Sequence, residues 1–109
     1  MSMNDDIKEY PIYTIRPDGG LMTAPWVTSV DDYNHSTHQI HHYILKGLYD
    51  RNREWYDEHN VKQKLFLLPI WVHEQVHLTA VKNMTDEEFK DRFGVSRWEL
   101  LFNRNYSEY

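Results

Sequence analysis

Leu65-Phe66-Leu67-Leu68 is a run of four large apolar side chains that stops at Pro69. A strand reading apolar at every position has no solvent face, so Lys64 to Leu68 is predicted to be a short buried strand. Proline has no N–H for a ladder hydrogen bond and forces the break that follows. Beyond it, Trp71 to Lys82 has helical spacing, with Val72, Val76 and Ala80 in one row and His73, His77 and Val81 in the next. The two histidines therefore face much the same way as the apolar side.

With 109 residues, 40% hydrophobic and 15% aromatic, the chain has material for one domain around one core, much of it from four Trp and eight Tyr. Upstream, Tyr10 to Ile15 reads as a strand, Pro17-Asp18-Gly19-Gly20 as a turn, and Leu21 to Thr23 as a return limited by Pro25. Residues 1–9 read as a loose end, Trp26 to Val30 as a second strand or an apolar tether, and Asp31 to Ser36 as a loop. Thr37 to Leu45 has strand character. Regular alternation puts Ile40, His42 and Ile44 on one face and Gln39, His41 and Tyr43 on the other. Leu48 to Glu58 is predicted as a short helix. Thr85 and Ser96 each open a capping-box pattern, giving two C-terminal helices with Gly94 as a stop, and Asn103 to Tyr109 as a frayed end. The expected class is α+β in a single domain, divided into an acidic segment (1–36), a central unit (37–82) and a helical cover (83–103).

Cysteine is absent, so disulfides, thiolate chemistry and cysteine zinc sites are excluded. A metal here must use His, Asp or Glu. The first 32 residues carry Asp5, Asp6, Glu9, Asp18, Asp31 and Asp32 against Lys8 and Arg16, which accounts for most of the net charge of −5. That profile argues against nucleic-acid binding by bulk electrostatics and suits a protein partner docking on the acidic segment. No apolar run is long enough to span a membrane, and the start has no basic and apolar signal pattern, so the expectation is a cytoplasmic protein.

Five of the seven histidines fall in two clusters, His38-Gln39-Ile40-His41-His42 and His73-Glu74-Gln75-Val76-His77. A pair at i, i+4 sets two imidazoles on one helix face, within reach of one ion. His73-Glu74-x-x-His77 also matches the HExxH pattern of zinc peptidases, in which Glu74 would be the general base. His35 and His59 sit in polar context and are expected at the surface. His38 is expected to be an ordinary strand residue.

Taken together, the His pair, the long connection, the short apolar strand, the proline and the helical His-x-x-x-His resemble the HNH nucleases of the colicin type, over roughly residues 38–78. The resemblance implies a ββα-metal core holding one divalent ion on His41, His73 and His77, with His42 as general base. Three nitrogen ligands favour Zn²⁺ or Ni²⁺, with Mg²⁺ or Mn²⁺ as alternatives. Gln63 is the nearest positional match to the family's asparagine, and Gln39 stands where a glutamate often precedes the pair. Arg51 or Arg53 would grip the scissile phosphate, and Trp55-Tyr56 would stack on bases. The implied activity is metal-dependent hydrolysis of phosphodiester bonds in DNA, with RNA as the alternative. Free-standing members of this size occur among phage, mobile-element and bacterial-competition proteins. The other classes left open are a non-catalytic HNH-like regulator or inhibitor that binds a protein, and a minimal HExxH peptidase.

Overall fold

The computed structural model describes residues 3–78 and 84–102. Among them, six α-helices accompany one four-stranded sheet, an α+β architecture: α1 (Met3–Glu9), β1 (Ile12–Ile15), β2 (Leu21–Thr23), β3 (His38–His42), α2 (Lys46–Arg51), α3 (Arg53–Glu58), β4 (Leu65–Pro69), α4 (Ile70–His77), α5 (Asp86–Phe93) and α6 (Arg97–Leu100). Among the described residues no helix is long and apolar enough to cross a membrane.

The apolar run is β4, and it lies inside the sheet, whose order is β2-β1-β4-β3. It pairs parallel with β1 and antiparallel with β3. Both faces are covered. Phe66 and Leu68 pack with Val72 and Val76 of α4, Phe89 and Phe93 of α5, Val95 and Leu100. Leu65 and Leu67 point the other way, toward Ile7 of α1, Ile12, Ala24, Val27 and Ile40. A third cluster, Ile44, Tyr49 and Tyr56, lies under α2 and α3. Burying each large aliphatic side chain contributes roughly 1.5–3 kcal/mol, so the uninterrupted run concentrates its burial where two layers meet.

Around the proline the chain does what its residues require. Pro69 has φ −54° and ψ 144°, an extended conformation from which α4 begins at the next residue. The Ile70 N–H donates to the Thr37 carbonyl at 3.0 Å, which ties the helix start to the entry of β3. At the other end of the core, Thr85 and Ser96 each accept a backbone N–H three residues on, and Ser96 with Glu99 completes the reciprocal box. Gly94 closes α5 in the left-handed region at φ 85°. There it approaches the β1–β2 turn so closely that a Cβ on Gly94 would lie 3.0 Å from Gly19 Cα.

Several sequence expectations are corrected. Residues Met3–Glu9 are helical rather than loose, because Ile7 is buried in the core and Asp6 is buried in an ion pair; seven residues alone would not hold a helix. Trp26 to Val30 is a tether rather than a strand: Ala24 and Val27 are buried while Trp26 is 51% exposed. A turn of 3₁₀ helix at Val30–Asp32 interrupts the expected loop. Leu48 to Glu58 belongs to two helices, not one, with the break at Asn52 (φ −126°, ψ 31°), whose side-chain amide donates to the Leu48 carbonyl. The expected part of the central helix at 79–82 and the expected frayed end at 103–109 lie outside the described residues.

Candidate metal centre

Alternation along β3 decides where its side chains go. Gln39 and His41 face α4, whereas Ile40 and His42 face α1. His41 is 1% exposed, and its ring lies 6.0 Å from that of Phe66. From the helix side, His73 and His77 are one turn apart and reach down to the same point. His77 Nε2 is 2.8 Å from His73 Nε2 and 3.3 Å from His41 Nδ1. One nitrogen of each of the three rings lies within 4.8 Å of the other two, so this triad can hold a metal ion.

The outward nitrogens fix the inward ones. A carbonyl oxygen can only accept, so the 2.6 Å contact between His41 Nε2 and the Leu100 carbonyl puts the proton on Nε2 and leaves the Nδ1 lone pair facing the triad. His73 Nδ1 lies 2.7 Å from Gln39 Oε1, which likewise leaves His73 Nε2 as a lone pair pointing inward. Two lone pairs therefore converge on the third imidazole from a strand and a helix. Four-coordinate zinc with bonds of about 2.1 Å separates neighbouring ligand nitrogens by roughly 3.4 Å, so the spacing fits after the two helix rings part slightly.

Burial keeps the three imidazoles neutral. Burial lowers the pKa of His41 to about 3, with the charges of His73, His77 and His42 pushing the same way against the hydrogen bond to Leu100. His73 is lowered to about 4, by burial first and then by His77 and His42. His77 is exposed overall, and the partial desolvation of its ring lowers it as well. At neutral pH all three rings keep the lone pairs that a metal requires. An open cavity lined by Gln39, His73, Glu74, His77 and Leu78 borders the triad on its solvent side.

His42 is the last residue of β3 and turns the other way. Its Nε2 lies 3.1 Å from Asp6 Oδ2, and the Lys46 ammonium is 2.5 Å from the same oxygen. Burial works against the Asp6 charge, but hydrogen bonds from Lys46 and His42 outweigh it and hold the carboxyl below its usual range. Gln63 is 3% exposed and clasps the chain just beyond His42. Its Oε1 accepts from Ile44 N–H at 2.9 Å and its Nε2 donates to the Ile44 carbonyl at 2.8 Å.

Arg53 is turned to another task. Arg53 lies over the Tyr49 ring at 4.7 Å and faces Glu9 at 3.9 Å. Arg51 runs back along α2, close to Gly47. Tyr56 is fully buried, and Trp55 stacks on His59 at 3.9 Å, so the pair does not offer two free stacking faces. Glu74 is exposed at the edge of the cavity. His35 is exposed and stacks on Tyr33; His38 sits in β3 with Nδ1 against Thr37 Oγ1.

Three partners were missed by sequence reasoning: Asp6, Gln39 as a support for His73, and the Leu100 carbonyl. Gln39 could have been found, since it shares a strand face with His41. Asp6 and Leu100 are 36 and 59 residues away from the histidines they touch, and no local pattern marks them. Comparison with family models, with curated proteins and with solved structures finds no significant match in any of the three.

Proposed function

We propose that this chain is a metal-dependent endonuclease of the HNH kind, acting in the cytoplasm on phosphodiester bonds of DNA. One observation carries the reading: an antiparallel strand pair and the helix that follows it bring His41, His73 and His77 to one point, with His42 next to His41 at the strand end and turned to its other face. Three neutral imidazoles suit Zn²⁺ or Ni²⁺ better than Mg²⁺ or Mn²⁺, which prefer oxygen. A divalent ion bound there would supply a Lewis acid beside the phosphate and stabilise the charge that builds on its oxygens.

The chain's own residues do the rest. His42 takes a proton from water as the water oxygen forms the new bond to phosphorus. The bond from phosphorus to the leaving sugar oxygen breaks, and that oxygen takes its proton from solvent. Gln63 fixes the backbone at Ile44, two residues beyond His42, through two hydrogen bonds. Arg51 or Arg53 would meet the substrate phosphate, Arg53 only after leaving Tyr49 and Glu9.

A second reading, a metal-stabilised scaffold that binds a protein, is favoured by Arg53 being engaged with Glu9 and by the acidic N-terminal segment. Plasmid nicking separates the two. Chelator-stripped protein is given Mg²⁺, Mn²⁺, Ni²⁺ or Zn²⁺ singly, beside His42→Ala. Nicking that needs metal and disappears in His42→Ala, which still binds metal, supports the nuclease. Folded, metal-loaded protein that nicks nothing supports the scaffold.

A further inference from the structure

Resting on the nuclease reading, we infer that Asp6 of the N-terminal helix is the positioning residue for His42, so that α1 is part of the site and not a covering segment. Asp6 is 2% exposed, and burying a carboxylate costs several kcal/mol unless it is paired. It is paired twice through one oxygen, with His42 Nε2 at 3.1 Å and Lys46 Nζ at 2.5 Å. The helix that carries it is anchored separately by Ile7 in the core, and by Asn4 Oδ1 accepting from Val30 N–H at 2.9 Å. The carboxylate is therefore delivered by a fixed element, not by a wandering terminus.

Geometry gives Asp6 a specific task. An ionised carboxylate only accepts, so its contact places the His42 proton on Nε2 and leaves the lone pair on Nδ1. Nδ1 is then the atom that receives the proton of the attacking water. Lys46 balances the Asp6 charge, so the shared oxygen stays an acceptor for the His42 N–H. Gln39, on the face turned to α4, is engaged by His73. Asp6 reaches His42 from 36 residues upstream, on the face turned to α1.

The test uses the full chain. In ¹⁵N-histidine-labelled wild-type protein at pH 8, His42 is expected to show a slowly exchanging, downfield Nε2–H and an unprotonated Nδ1, assigned by its disappearance in His42→Gln. Asp6→Asn is expected to lose that protected proton, to keep Zn²⁺ affinity within roughly threefold, and to lower kcat by about 10²–10⁴ with KM nearly unchanged. A merely structural Asp6 would shift metal affinity and KM along with kcat. The inference is overturned if the wild-type ring carries its proton on Nδ1, a result that needs no variant to fold, or if Asp6→Asn cleaves within about threefold of wild type. Absence of cleavage by the wild type with every metal falls on the nuclease reading instead; the ring proton then still decides whether Asp6 sets the tautomer.

Discussion

Metal-free protein should lose stability between pH 6 and pH 5, a window that lies above the ordinary carboxylate values of about 3.9–4.3. His41 has its pKa lowered to about 3 and His73 to about 4, against about 6.5 in the unfolded chain. As pH falls through 6.5 the unfolded state binds protons that the native state refuses, so stability falls with pH until the native values are reached. Over that one unit the unfolded imidazole is on average about 90% protonated and the His41 ring remains neutral. Each such proton is worth about 1.36 kcal/mol per pH unit, so His41 contributes about 1.2 kcal/mol and half-buried His73 brings the total toward about 2 kcal/mol. His77 is exposed and is left out of the sum, since solvent screens it. The Asp6 carboxyl titrates below its usual range and is outside the window. Urea titrations at pH 7, 6 and 5 in the presence of chelator give the slope directly. A His41→Leu protein should lose about one proton of it. A wild-type slope under about half a proton would refute the buried neutral triad. Zinc at about 100 times its Kd should add about 2.7 kcal/mol at pH 7.

Three further outcomes follow from the packing. His77→Ala should abolish Zn²⁺ binding by calorimetry while costing under about 1 kcal/mol in chelator, since the ring is exposed; retained zinc affinity would remove the triad as the site. Gln63→Ala should cost about 2–4 kcal/mol in urea denaturation, because the Ile44 N–H and carbonyl lose their buried partner together. Gly94→Ala should cost more than about 1 kcal/mol in the same assay, from a left-handed φ and from contact with the Gly19 backbone.

Local chemistry was legible wherever a residue's consequence stays within its own few neighbours. The unbroken apolar reading of Leu65 to Leu68 required an interior strand, and Pro69 required its end; both follow from backbone hydrogen bonding and burial. His73 and His77 share a helix face because of the 3.6-residue turn. Gly94 stops α5 because it accepts φ 85° without strain, and Thr85 and Ser96 cap helices because their oxygens reach an N–H three residues on. Alternation along β3 separated His41 from His42 correctly, since strand side chains must point in opposite directions.

What the tertiary structure decided is which of these faces meet. The short helix α1 exists because the core receives Ile7 and because His42 and Lys46 receive Asp6, and its own seven residues carry no sign of either. The break at Asn52 coincides with its side-chain amide donating to the Leu48 carbonyl, a local hydrogen bond. Arg53 is held by Tyr49 and Glu9, a contact that crosses from α3 to α1. His41 meets His73 and His77 only because β3 pairs with β4 in the register that sets His41 opposite Phe66, beneath α4. The sequence by itself determined the buried strand β4, the helix face shared by His73 and His77 and the capped starts of α5 and α6, since those depend on interactions a few residues long. Their convergence, and the partners Asp6 and Leu100 that orient the rings, depend on contacts between distant segments whose energy appears only when the sheet has assembled.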